Sequence, residues 1–193
     1  MDTESPLVLA MPRRELFRVS GFTKRVDFGV LASVADEAWY AAPDTLIGNL
    51  DAKEVRLGLV VARPVSGGGE EVLVHEGGVL LHATPIPPEV GEMGPGLRAL
   101  RKLALAAGGF LLGLGEAAPG RVELVGYLND DALPECRECF ILVYRLQVAA
   151  DHPAPLEMQW TSASGLEQVP LDPVSVLIAA GWAQPAAPAK TDG

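Results

Sequence analysis

Apolar residues recur at helical spacing in three stretches of the chain and run unbroken for strand lengths in several others. Residues 6–11 (PLVLAM) form a strand-length apolar run, closed by the basic turn Pro12-Arg13-Arg14-Glu15. Phe28, Leu31, Val34 with Ala35, and Ala38 with Trp39 predict a first helix that Pro43 ends. Residues 55–62 (VRLGLVVA) read as a strand and residues 64–69 (PVSGGG) as a turn. Residues 72–75 and 79–82 are two further short strands around Gly77-Gly78, so this part is a meander.

A second helix is predicted over residues 97–107. Gly94-Pro95 precedes it, Gly108-Gly109 closes it, and Leu97, Leu100, Ala104 and Ala107 share its apolar face. Residues 121–128 and 139–149 (CFILVYRLQVA) are strands, the latter apolar enough to be central in a sheet. The third helix is the best signposted. Asp172 is an N-cap, Pro173 takes the first helical position, Val174, Leu177 and Ile178 make one face, and Gly181 closes it. Strands and helices in this order, without regular βαβ alternation, predict an α/β (α+β) fold, a mixed β-sheet with helices on its faces. Residues 6–183 read as a single domain. Residues 1–5 and the tail 184–193 (QPAAPAKTDG) lack large apolar groups and are expected to be disordered.

The charge balance narrows the partners. Lys+Arg number 15 against Asp+Glu 25 in 193 residues, a net charge of -10. Nucleic acid is therefore not an expected partner, since counterion release needs clustered Lys and Arg. No apolar run approaches the roughly 20 residues that span a bilayer, so no membrane association is expected. The acidic N-terminus lacks the pattern of a secretory signal, which points to the cytoplasm.

Candidate chemistry is sparse. Cys136 and Cys139 have the CxxC spacing of a zinc half-site or a redox pair, but no second pair completes four ligands. With Cys139 opening a strand, residues three apart should point to opposite faces, which favours structural cysteines. His75, His82 and His152 show no ligand spacing. Asp130 and Asp131 follow Asn129 and read as turn chemistry before they read as a metal pair. Gly67-Gly68-Gly69 lacks a Walker lysine and a following helix, so a hairpin turn is preferred to a phosphate cradle. Arg13-Arg14 with Lys24-Arg25 is the densest basic region, and a solvated face is the simplest reading of it.

Several of these segments, in order, resemble a bacterial branch of Nudix-like proteins. Its N-terminal pattern VVPRxxLFxxxxFxGF is matched by residues 9–17 (LAMPRRELF) and 20–22 (SGF). Its GGGEExLHG turn and GGHINP loop are matched by residues 67–71 (GGGEE) and 80–85 (LLHATP). Its GxxNDDxxPVGxxH strand is matched by residues 126–131 (GYLNDD) with Pro134, and its ExxW strand by residues 157–160 (EMQW). The resemblance runs from about residue 7 to 182. It implies a Nudix-like α/β/α sandwich, with His82 at the family's loop histidine.

The same resemblance exposes a degenerate catalytic box. The Nudix pattern G-x5-E-x7-R-E-U-x-E-E-x-G-U uses its glutamates to hold Mg²⁺ or Mn²⁺ for attack of water on a diphosphate. Anchored on Arg101 and Gly108, the three helical glutamate positions are Lys102, Leu105 and Ala106. Hard cations need clustered carboxylates, and a lysine there opposes them, so no metal and no cofactor are expected. The resemblance then implies a pseudoenzyme, a binding or regulatory module for a nucleotide-derived small molecule. One alternative is an active hydrolase of nucleoside diphosphate derivatives, with Mg²⁺ or Mn²⁺ held by acids outside the box. There Glu89, Glu92 or Asp130 would hold the metal, and under either reading the candidate ligand or cleft residues are His82, Glu89, Glu92, Arg101, Asp130 and Asp131. Another is an interaction scaffold that forms a homodimer or takes a protein partner. The box helix is apolar over much of its circumference and is expected to be covered on both sides, its second face plugged by the loop at Ile86-Pro87-Pro88 or receiving a partner or apolar ligand.

Overall fold

The fold is built around one long strand, seen here in a computed structural model that describes residues 6–16, 19–91 and 96–182. The expected disorder of 1–5 and 184–193, together with Phe17, Glu92 and the Gly94-Pro95 helix start, falls outside these residues. The strands are β1 Val8–Pro12, β2 Gly21–Thr23, β3 Trp39–Ala41, β4 Ala52–Pro64, β5 Glu70–His75, β6 His82–Pro85, β7 Arg121–Asn129, β8 Cys139–Gln147 and β9 Met158–Ser162. The helices are α1 Phe28–Glu37, α2 Pro88–Gly91, α3 Leu97–Leu111, α4 Pro134–Arg137 and α5 Pro173–Trp182. β4 is bordered along Glu54 to Ala62 by parallel β8. Its other edge is shared in succession by antiparallel β1, β6 and β5. Around this centre the order is β2-β7-β8-β4-β1-β3, with β9 added to β5, so the sheet is mixed as expected.

Alternation along the two central strands divides the core between the two faces of the sheet. Val55, Leu57, Leu59 and Val61 of β4 join Phe140, Leu142, Tyr144 and Leu146 of β8 under Val30 and Val34 of α1 and Leu100 and Ala104 of α3. Val60 and Ala62 join Cys139, Ile141 and Val143 under Ile178 and Trp182 of α5. The run that reads as continuously apolar is continuous because both faces are covered. Arg145 interrupts it, and Glu70 and Glu123 pair with that guanidinium.

Several elements depart from their sequence signals. Helix α1 stops at Glu37, and Trp39 pairs with Ala10 in a strand, because sheet hydrogen bonds outcompete the last periodic residues. Its buried face is Val30 and Val34, while Phe28 is 76 % exposed. The expected strand at 79–82 is displaced to His82–Pro85, with Val79 making only an isolated bridge to His75. Here the Leu80 N–H donates to Ser175 Oγ of α5 at 2.8 Å. The Gly67-Gly68-Gly69 run is the hairpin turn between β4 and β5, with φ of 95°, 91° and 98°. Asp172 caps α5 as its sequence predicts, accepting from the N–H groups of Val174 and Ser175 at 2.9 and 3.1 Å.

Helix α3 runs through the glycine pair that should end it. A Cβ on Gly109 would stand 1.6 Å from the Glu116 carbonyl oxygen, and one on Gly108 would stand 2.4 Å from Leu146 Cδ2. These glycines let the helix lie against the sheet and the 113–118 loop. The residue that follows the helix's C-cap Leu112, Gly113 at φ 68°, supplies the left-handed turn instead.

Candidate functional site

Helix α3 carries Arg101 to Gly108, the segment that the resemblance sets against the Nudix pattern, and its orientation decides what these positions face. Leu100, Ala104 and Gly108 are buried toward the sheet. Leu97 is 47 % exposed, so the apolar face predicted through it is rotated toward Gly108. Arg101, Lys102 and Ala106 are exposed, and the helix is therefore not covered on both sides as its composition suggests. Leu105 packs partly against the core, and its carbonyl accepts from the Ala118 N–H at 2.8 Å.

Ala99, Lys102, Leu103 and Ala106 lie at i, i+3, i+4 and i+7 and form one wall of a groove of about 270 Å³. Glu89 and Val90 of α2 form the other. The chain reaches this place because Ile86 is fully buried, its carbonyl accepts from Leu9 N–H at 3.2 Å, and Tyr40 Oη donates to the Pro87 carbonyl at 3.3 Å. Burial raises the Tyr40 pKa, and the nearby Glu89 carboxylate raises it further. The loop at 86–88 thus leads to the helix but does not plug its second face as expected, and the groove left there is mostly apolar.

A hard divalent cation needs about six oxygen ligands, several of them carboxylates. The groove offers the Glu89 carboxylate across from the Lys102 ammonium, with Ala106 and Leu105 at the other two glutamate positions. These residues do not fit the metal of a Nudix box. Among the described residues no group of three or more His, Cys, Asp or Glu side chains could share an ion.

The opposite flank of α3 holds a second cleft, of about 260 Å³. Phe28 and Leu31 of α1 and Leu97 line its apolar part, and Arg101, Arg121, Glu123 and Tyr144 its polar part. Tyr144 is fully buried, and its hydroxyl has no hydrogen-bond partner. Burial raises its pKa, with Tyr127 adding to this and the Arg101 charge opposing it. Sequence reasoning selected Arg101 but missed Tyr144, whose place in an apolar strand gives no sign of what its hydroxyl faces.

The remaining candidate residues lie elsewhere. The His82 ring stands edge-on to His75 at 6.5 Å between centroids, and its Nε2 is buried with no partner. Burial, reinforced by His75 and opposed by Asp172, lowers its pKa to about 4. His82 therefore belongs to the surroundings of the α5 N-terminus and does not line either cleft beside α3. Asp130 Oδ1 accepts from the N–H groups of Ala132 and Leu133 at 2.8 and 3.3 Å, which is the turn chemistry predicted for it. The Asp131 carboxylate is held by Lys53 Nζ at 2.6 Å and Arg13 Nη1 at 3.0 Å. Both aspartates follow the last residue of β7, whereas the Arg101 cleft takes Arg121 at its first. The cleft reaches along the strand only to Leu124, so roughly 17–20 Å of strand separate it from the aspartates, which do not line it.

Two other sequence readings change. Arg13 is an interior clasp, its side chain 13 % exposed and bonded to Asp131 and the carbonyls of Asn49 and Arg137, so the solvated reading fails there, while Arg14 and Arg25 are exposed as expected. Lys24 donates to the Trp182 carbonyl at 2.9 Å and sits 5.5 Å from the centre of that indole. Cys136 stands on the helical turn α4 and not on a strand, so the two thiols meet instead of pointing to opposite faces. The network missed altogether is Lys53, Asn129 and Asp131. Its signal is a lysine inside a strand of otherwise buried residues, a placement that demands a buried partner.

Comparison with known proteins adds the fold. No protein-family model matches the chain, and no curated protein does. Among solved structures it is similar to the crystal structure of Tm1382, a candidate Nudix hydrolase, at 16% identity and a TM-score of 0.68, with 91% of this chain and 97% of that one covered. The Nudix hydrolase RenU from M. smegmatis matches at 19% identity over 66% of this chain and 81% of its own, with a TM-score of 0.30 that carries no argument. The architecture is thus the Nudix fold, at an identity that speaks for fold alone.

Proposed function

We propose that this Nudix-fold chain is a catalytically degenerate binding module, one that recognises a small nucleotide-derived anion without metal-dependent hydrolysis. The observation that carries the reading is the groove wall itself. Lys102 and Ala106 occupy glutamate positions of the box and face a single carboxylate, Glu89. A cation there would meet an ammonium and an apolar surface where catalysis needs clustered oxygens.

Binding without hydrolysis draws on the neighbouring cleft. Arg101 and Arg121 offer guanidinium groups suited to a phosphate, and Phe28 offers an exposed ring for a flat apolar moiety. Buried Tyr144 adds a hydroxyl that can both donate and accept. At about 260 Å³ the cleft suits a ligand no larger than a mononucleotide.

The test is a thermal-shift panel of nucleotides, nucleotide sugars and dinucleotides, each with Mn²⁺ and with chelator, beside an assay of diphosphate cleavage. A ligand that binds only the native state raises its stability by RT ln(1 + [L]/Kd). The expected result is a shift that survives chelator and disappears in Arg101→Ala, with no cleavage. Chelator-sensitive turnover that is lost in Glu89→Gln would overturn the reading in favour of an active hydrolase.

A further inference from the structure

The chain has two cysteines in all, and the fold brings them together at a place unrelated to the box helix. Cys136 lies on α4, a single exposed turn, and Cys139 opens β8 immediately after it. Both side chains are buried, at 1 % and 4 % exposure, while Pro134, Glu135 and Arg137 around them face solvent. The Cys139 thiol donates to the Glu135 carbonyl at 3.3 Å, and the two sulfurs are within hydrogen-bonding reach of each other.

Charged groups of both signs surround the pair, each cation matched by a carboxylate. Lys53 Nζ donates to the Cys136 carbonyl at 3.2 Å, and the Arg56 guanidinium, paired with Glu54 at 2.8 Å, faces Cys139. Two sulfurs alone do not complete a metal's ligand set, and among the described residues no group of three or more His, Cys, Asp or Glu side chains could share an ion, while the Arg56 and Lys53 cations lie beside the sulfurs. These cations favour a thiolate, which is the reactive form of cysteine. The hydrogen bond from Cys136 holds the Cys139 pKa below the ordinary thiol range, helped by Arg56 and Lys53 against the effects of burial and of the Glu54 carboxylate. The same hydrogen bond and burial push the Cys136 thiol up. One sulfur is thus prepared to attack and the other to resolve.

We propose that Cys136 and Cys139 are a redox-active dithiol, which a hydroperoxide oxidises to an intramolecular disulfide. The Cys139 thiolate attacks the terminal oxygen of the peroxide, the O–O bond breaks, and the leaving alkoxide takes a proton to become an alcohol, or water from hydrogen peroxide. Cys139 is then a sulfenic acid. Cys136 loses its proton and attacks the Cys139 sulfur. The S–O bond breaks, and hydroxide leaves with that proton as water. Two thiols and one hydroperoxide become one disulfide, one alcohol and one water, with the peroxide reduced by the two electrons the sulfurs give up. A brief opening of the exposed α4 turn admits the oxidant, and the disulfide would close the same turn.

The full chain, treated with hydrogen peroxide under native conditions, tests this directly because no third thiol can interfere. The expected result is loss of both titratable thiols, a mass lower by two hydrogens, a monomeric band on a non-reducing gel, and reversal by dithiothreitol. Cys136→Ser should stop at a sulfenic acid on Cys139 that a dimedone-type probe captures, and Cys139→Ser should react at least roughly ten-fold more slowly. Retention of both thiols in the native protein, cross-linked dimers, or a Cys139→Ser variant as fast as the parent would each overturn the proposal. The mass measurement on the unaltered chain decides the matter even where a variant folds poorly.

Discussion

Lys53 Nζ, on a side chain 1 % exposed, lies 2.6 Å from Asp131 Oδ1 and so joins the middle of the sheet to the turn after β7. Asn129 Oδ1 at 2.7 Å and the Cys136 carbonyl at 3.2 Å complete the ammonium's partners. Asn129 in turn donates to the carbonyls of Leu16 and Val19 at 3.2 and 2.9 Å, which ties in the N-terminal segment. Removing the carboxylate strands a buried charge.

Asp131→Ala should therefore destabilise the protein by about 1–3 kcal/mol, below the value for a fully buried pair because Asp131 remains solvent-screened. Lys53→Met should cost less, since no unpaired buried charge is left. Urea denaturation of both variants and of the double mutant checks this through their non-additivity. The pair also contributes an acid limb. The hydrogen bond from Lys53, helped by Lys53 and Arg13 charges against some burial, depresses the folded pKa of Asp131 below its ordinary 3.8. Its contribution is present above that value and is lost as pH falls through the depressed folded pKa.

His82 sets a second, higher window. Its folded pKa of about 4 lies below the ordinary 6.5, so the unfolded chain binds the proton more readily. Stability should be full above pH 6.5 and fall as pH drops toward 4, by at most about 3 kcal/mol. Thermal denaturation across this range should show a flatter profile for His82→Leu than for the parent chain. Identical profiles would mean that His82 is not the titrating group.

Gly109→Ala tests the close approach of α3. In a solvent-exposed helix interior this exchange stabilises by about 1 kcal/mol. Here the added Cβ would meet the Glu116 carbonyl oxygen at 1.6 Å, so the sign should reverse, with a loss of about 3 kcal/mol or more. A chemical denaturation midpoint that rises would refute this packing.

Restoring carboxylates should create what the box helix lacks. The triple variant Lys102→Glu, Leu105→Glu, Ala106→Glu, together with native Glu89, should bind Mn²⁺ at millimolar or lower concentration, while the parent chain does not. Mn²⁺ electron paramagnetic resonance measures the free ion directly. Equal binding by both chains would place a metal site elsewhere.

Tyr144→Phe removes a buried hydroxyl that has no partner. In the free protein this should be neutral or stabilising by up to about 1 kcal/mol. Any ligand that shifts the melting temperature of the parent through the Arg101 cleft should shift that of the variant less. Calorimetric titration of such a ligand against both proteins separates the two effects.

The apolar runs determined, without any structure, that residues 55–62 are a strand, that the run opening at Cys139 is a central one (it ends at Gln147, two residues short of the run), and that Asp172-Pro173 opens a helix. These are local consequences of burial and of backbone chemistry, so the residues carry them in order. That Lys102, Leu105 and Ala106 stand at glutamate positions is what the resemblance to the Nudix pattern implies. Tertiary structure alone decided where α3 ends, because Gly108 and Gly109 serve a close approach to Leu146 and Glu116 and not a cap. It alone separated His82 and Asp131 from the box, and joined Cys136 to Cys139 and Arg13 to Asp131. Such pairings are set by how strands far apart in sequence align in the sheet. Spacing along the chain does not encode a distance that only strand register and helix packing create.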